Sequence, residues 1–174
     1  MRKYEHLLDE ARAKGLTVIE SYPFQSERIR GLLCDDTIAL SEQIDTEAER
    51  TVVLCEELTH AECSAGNILN DSRLEHRARQ HNFDRLIGLE GLIRAFLAGC
   101  REAWEFADFL GIPESFLAEA MTNYRERYGT LTTANTEQGL FALTFEPTLC
   151  VKRVMRTQTP TRVLRTHSKR KESL

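Results

Sequence analysis

Three side chains that could act together lie within one short stretch: Glu56, Glu57 and His60, in Thr51-Val-Val-Leu-Cys-Glu-Glu-Leu-Thr-His60, continued by Ala61, Glu62 and Cys63. Wound as an α-helix, the stretch sets Val52, Glu56 and His60 in one row, Val53 and Glu57 beside them, and Leu54, Leu58 and Ala61 on the far side. Thr51, Cys55, Thr59 and Glu62 are left as a narrow wet face. Carboxylates set among valines are costly without a partner, so the row calls for a cation or a functional use.

Glu56-Glu57-Leu58-Thr59-His60 follows the His-Glu-x-x-His pattern with Glu in place of the first His. In zinc peptidases that pattern works because residues four apart on a helix point the same way and share one metal, while the intervening Glu is the general base for the attacking water. Glu56 and His60 keep the spacing, Glu57 is the intervening acid, and a carboxylate is a legitimate zinc ligand. The competing account is a solvated helix face. A third ligand must come from elsewhere. Glu75 stands near the start of the following helix, where a returning chain could lay it over the first, although Ser72-x-x-Glu75 also fits a capping box. His76 and His81 are alternatives. Cys55 and Cys63 are weaker ones, because Cys55 and His60 face different ways.

These residues need a scaffold, and the periodicity predicts one. Tyr4, Leu7, Leu8 and Ala11 share a helix face over residues 3–14, with Gly15 as the stop. Leu16 to Glu20 is a short β-branched strand, and 29–34 with 37–40 make a β-hairpin whose turn is Asp35-Asp36. Asp45 or Thr46 caps the Glu56–His60 helix, and Thr46-x-x-Glu49 fits a capping box. It ends near Cys63 to Gly66, before a short polar loop through Asp71. A helix then runs from Ser72 towards Ile87, with Gly88 and Gly91 interrupting it before Leu92 to Leu97 resume. Residues 102–128 form two helices around Gly111-Ile112-Pro113, a helix-turn-helix spacing. Gly139 to Phe145 is a closing strand.

A chain of 174 residues with 41% hydrophobic and 29% charged residues can bury a sizeable core as one domain, with or without a tail. No run approaches a membrane span and the N-terminus has no signal-peptide core, so a cytoplasmic protein is expected. Five scattered cysteines without Cys-x-x-Cys pairs fit reduced thiols. The net charge of −4 hides an asymmetry: residues 151–174 hold eight Lys/Arg and one Glu, against 15 basic and 26 acidic residues in 1–150. The body would repel nucleic acid, whereas the tail, expected to be disordered, could attract it. The second helix of the 102–128 pair opens on Glu114 and carries Glu119, which argues against DNA reading by this unit.

Taken in order, the N-terminal helix, the Gly-Leu-Leu-Cys-Asp hairpin ending in Thr37-Ile-Ala-Leu40, Val-Leu-Cys-Glu-Glu-Leu-Thr-His60, Glu75-His-Arg-Ala-Arg79, Phe106-Ala-Asp-Phe-Leu-Gly-Ile-Pro113, Tyr124-x-x-x-Tyr128-Gly129 and Phe145-Glu-Pro147 resemble the ImmA/IrrE family of metallo-endopeptidases, in its phage and mobile-element branch. The resemblance covers roughly residues 3–152. It implies an α+β, mostly helical zincin-like fold: a core over 1–100 with a small N-terminal hairpin or sheet and the active-site helix, then over 101–150 a helical pair and closing strand packed on that core, then a basic tail over 151–174. It implies Zn²⁺ held by His60, Glu75 and the residue at position 56, with Glu57 as general base, and a helix-turn-helix repressor of a prophage or mobile element as substrate. Position 56 departs from the family's more familiar His. Two carboxylates and one imidazole leave a Zn²⁺ site near neutrality, so its water is less acidified and harder ions such as Mn²⁺ compete better.

Three functions therefore compete: a metal-dependent peptidase, an anti-repressor that binds its repressor without cutting it, and a DNA-binding regulator using residues 102–128 and the tail.

Overall fold

The computed structural model describes residues 3–63 and 72–155, with the side chains of Cys63 and of residues 72–74 outside the description. Helix α1 (Lys3–Ala13) buries Tyr4, Leu7 and Ala11, the predicted face, and ends at Gly15 with φ +77°. Strands β1 (Thr17–Tyr22), β2 (Gly31–Cys34) and β3 (Thr37–Ser41) follow. The β2–β3 hairpin is antiparallel, with Cys34 opposite Thr37, and Asp35 takes the left-handed conformation that its turn requires. Strand β1 pairs in parallel with β3, which lies between the other two and is buried from Ile38 to Ser41. β2 is thus an edge strand.

Helix α2 (Glu47–Cys63) starts where expected: the Thr46 hydroxyl accepts the Glu49 N–H at 3.2 Å. It packs against α1, β2 and β3, with Leu54 and Leu58 fully buried. Its predicted wet face is not wet. Thr51, Cys55 and Thr59 are all buried, Cys55 and Thr59 against α3 (Ser72–Leu86), which docks on that side. The Asn82 side-chain carbonyl accepts the Thr59 hydroxyl at 2.6 Å and the Cys55 thiol at 3.5 Å, and Thr51 donates to the Glu47 carbonyl at 2.8 Å. A polar stripe can face a matching polar residue instead of water, and helical periodicity does not separate the two. Glu62 alone of the four is exposed, paired with Lys14.

A sharp break separates α3 from α4 (Gly88–Leu97), with Gly88 at φ +59°. Tyr124 stitches it: its hydroxyl accepts the Gly88 N–H and donates to the Phe83 carbonyl, each at 3.0 Å. Gly91 does not interrupt the helix. It is buried inside α4, where a Cβ would come within 3.2 Å of Leu110 in α5 (Ala103–Leu110). The expected helical pair is present: Gly111 closes α5 in the left-handed conformation, and α6 (Glu114–Tyr128) buries Phe116, Leu117, Ala120 and Tyr124. Lys3 ties the N-terminus to both helical regions, donating to the carbonyls of Leu86 at 2.5 Å and Leu110 at 2.7 Å.

The closing strand belongs to a second sheet, an antiparallel meander of β4 (Leu131–Thr136), β5 (Gly139–Thr144) and β6 (Cys150–Arg153). The basic segment therefore does not begin as an unstructured tail: residues 151–153 pair with β5, and Val151 is buried. Phe141, Leu143, Phe145 and Val151 join one buried cluster that reaches back to Tyr4. The chain is α+β, with six helices and two small sheets among the described residues. The polar loop expected before Asp71, and the tail from residue 156, lie outside the described residues.

Candidate functional site

Glu56, Glu57 and His60 lie half-buried on the α2 surface between the edge strand β2 and α3. Glu57 is turned towards β2. Its Oε1 would sit 2.7 Å from a Cβ at Gly31, and Val53 Cγ1 would sit 2.6 Å from the same Cβ, so only a glycine lets the strand come this close. Burial raises the Glu57 pKa and the Glu56 charge adds to the rise, while His60 and the Leu33 backbone N–H oppose it. A carboxylate whose pKa is raised is a stronger base than an ordinary one, which suits it to proton transfer.

Glu56 faces the other way, towards α3. Burial also raises its pKa, countered first by Arg79 and then by His60, while Glu119 and Glu75 push it further up. Glu75 is exposed on the first turn of α3, and its charge acts on Glu56. The predicted residues thus occupy one electrostatic neighbourhood, though their donor atoms do not meet at a point. Among the described residues, no three His, Cys, Asp or Glu side chains converge closely enough to hold a metal ion. Glu56 is instead ion-paired, its Oε1 engaged by Arg79 Nη1.

The two carboxylates and the imidazole fit a divalent ion by donor type, whereas Glu56 as placed does not, being committed to a guanidinium. Of the alternative ligands, His76 and His81 are exposed on α3, with His76 Nε2 2.9 Å from Gln80 Nε2. Cys55 is spent on the Asn82 seam, and burial pushes its thiol up to about 12, far from the thiolate a metal needs.

Arg79 is the residue at this site to which the sequence attached no role. Its Nη2 reaches Glu119 Oε2 on α6 at 2.5 Å, and its guanidinium carbon lies 5.5 Å from the Phe83 ring centroid and 5.3 Å from that of Phe116. The available signal was the Glu75-x-x-x-Arg79 spacing, which puts both on one row of α3. Gly31 was the other omission, visible only as a glycine inside a strand.

No protein-family model matches the chain, and no curated protein or solved structure matches it either. No helix among the described residues is long and apolar enough to cross a membrane.

Proposed function

We propose that the chain is a metal-dependent endopeptidase of the ImmA/IrrE type, in a zincin-like fold, that cleaves a helix-turn-helix repressor of a prophage or mobile element in the cytoplasm. The observation that supports this reading is the row of Glu56, Glu57 and His60 on one helix, with Glu57 held against the edge strand β2 and the charge of Glu75 acting on Glu56. His60, Glu75 and, once free of Arg79, Glu56 are the side chains that would hold Zn²⁺ or Mn²⁺. Such an ion supplies polarisation of a scissile carbonyl and acidification of water. Glu57 would take the proton of the attacking water and deliver it to the leaving amine nitrogen. β2 is the edge strand next to that carboxylate, and its Leu33 N–H hydrogen-bonds Glu57.

The test is to incubate the metal-loaded full chain with a small helix-turn-helix repressor, taken from a neighbouring gene where one is encoded, and to read fragments by mass spectrometry. Glu57→Gln should slow cleavage by about 10²–10⁴-fold, the scale of a lost general base. An unchanged rate in that variant, or sub-stoichiometric metal after chelator-free purification, sinks the assignment.

One observation favours a second function. The Arg79–Glu56 pair neutralises the departing position without an ion, as a non-cleaving anti-repressor would need. In that case Glu57→Gln and His60→Ala derepress fully and leave the repressor intact. DNA reading by α5–α6 has less support: Glu114 opens α6, Glu119 is committed to Arg79, and the exposed face of α5 carries Trp104 and Phe109 in place of basic residues.

A further inference from the structure

We propose that Arg77, His81, Arg85 and Arg127 form an anion site on the α3–α6 face, and that its ligand is the phosphate group of a small molecule. The inference is independent of the metal assignment, since it uses none of Glu56, Glu57, His60 and Glu75.

Spacing puts the first three together. Arg77, His81 and Arg85 stand four apart along α3 and so form one row on one face. α6 packs against α3 and adds Arg127, whose Nη1 donates to Asp84 Oδ2 at 2.6 Å. With Gln80, these residues line one open cavity of about 620 Å³. Its wall therefore holds three guanidiniums and an imidazole against the single carboxylate of Asp84, in a body whose residues 1–150 carry 26 acidic groups and 15 basic ones. The cavity is a local reversal of the body's sign, which draws an anion to it.

Two of the guanidiniums are already held in place. Arg127 is fixed by Asp84 and by the Tyr128 ring, whose centroid lies 4.9 Å from its guanidinium carbon, and its Nη2 is left uncommitted among the described residues. Arg85 is anchored through Nη2 to Glu10 of α1, while its Nη1 is buried and has no hydrogen-bond partner among the described residues. Buried donors are rarely left so, and the fold leaves this acceptor to be supplied from outside. Arg77 and His81 are exposed and make no ion pair among the described residues. Much of the ordering that binding requires is thus complete before a ligand arrives.

The donors also select the ligand. Guanidinium forks match phosphate oxygens, and the three here come from two helices, so they approach an anion from different sides. A carboxylate has two oxygens, which one fork exhausts, whereas a phosphate group brings three strong acceptors. A long polyanion fits less well, because beyond the cluster it would run over an acidic surface.

The test is calorimetric titration of the full chain at low salt with phenyl phosphate, with benzoate as the carboxylate control and far-ultraviolet circular dichroism to check folding. Phenyl phosphate should bind saturably with a Kd of about 1 mM or lower, and benzoate about tenfold more weakly. Arg77→Gln and Arg127→Gln should each weaken phenyl phosphate about tenfold, the scale of one charge-assisted hydrogen bond. Arg12→Gln, which changes an exposed arginine of α1 paired with Asp9, should leave its affinity unchanged. Failure to saturate by about 10 mM, equal binding of benzoate, or an equal loss in Arg12→Gln overturns the site. A single-stranded oligonucleotide that displaces phenyl phosphate at far lower phosphate concentration overturns the choice of a small ligand and makes the face a nucleic-acid surface. Should Arg127→Gln not fold, Arg77→Gln decides alone, and unchanged affinity in it overturns the proposal.

Discussion

Gly31 and Glu57 are in contact through a gap that no side chain fits: a Cβ at Gly31 would lie 2.7 Å from Glu57 Oε1 and 3.0 Å from its Cγ. The edge strand and the candidate base are thereby fixed against each other. Gly31→Ala should displace either the carboxylate or β2 and destabilise the chain by about 1–3 kcal/mol, the usual cost of overpacking. Urea denaturation monitored by circular dichroism measures it. A neutral result would mean that the Glu57 side chain moves freely, which is incompatible with a positioned base.

Burial raises the Glu57 pKa above its ordinary value, and the sign of the resulting stability change is fixed by linkage. Between the unfolded and folded pKa values the folded state binds more protons, so stability falls as pH rises through that window. Above it the loss is complete. In metal-free protein, Glu57→Gln should therefore be more stable than wild type at pH 7, with the advantage disappearing on acidification to about pH 4. Thermal melts across that range decide it. An advantage that persisted at the acid end would place its origin elsewhere than in ionisation.

Much of this arrangement could be anticipated from local patterns. The phase of α2, the Asp35-Asp36 turn and the Gly111 junction between α5 and α6 are set by neighbours a few residues away, and sequence shows such neighbours directly. The parallel β1–β3 pairing joins strands across an intervening hairpin strand and leaves no comparable trace. Strand β4 escaped notice because Leu131-Thr-Thr-Ala-Asn-Thr136 is only half-buried on one face and has no apolar alternation. The site divides in the same way. Glu57 and His60 follow from spacing on one helix, whereas the occupation of Glu56 depends on Arg79 and Glu119, which come from two other helices.

Tyr124 carries the break between α3 and α4 on one hydroxyl, bonded to Gly88 and Phe83 in a fully buried setting. Tyr124→Phe keeps the ring and strands the Gly88 N–H. The expected cost is about 1 kcal/mol, the scale of a lost hydrogen bond to a partly buried donor. Hydrogen exchange should show accelerated opening at residues 86–89 in the variant. Unchanged exchange there would mean that the break holds itself.

The thiols should separate by reactivity. Cys34 is exposed at the end of β2, while Cys55 is buried, donates to Asn82, and has its thiol pushed up to about 12. Alkylation of the native chain followed by peptide mapping should label Cys34 early and leave Cys55 untouched until denaturant is added. Early labelling of Cys55 would show that the α2–α3 seam opens in the native state.

Strand β6 sets a limit on how the basic C-terminal segment can be dissected. Composition invites a cut at residue 151, yet Val151 pairs with Leu143 and the Val154 N–H still bonds to the Leu140 carbonyl at 2.8 Å. A deletion begun there would strip the second sheet of an edge and uncover Phe141 and Leu143, so any defect would report on folding. The same deletion begun after Met155 removes six of the eight basic residues and keeps the sheet whole, which makes it the informative truncation for asking what the positive charge does.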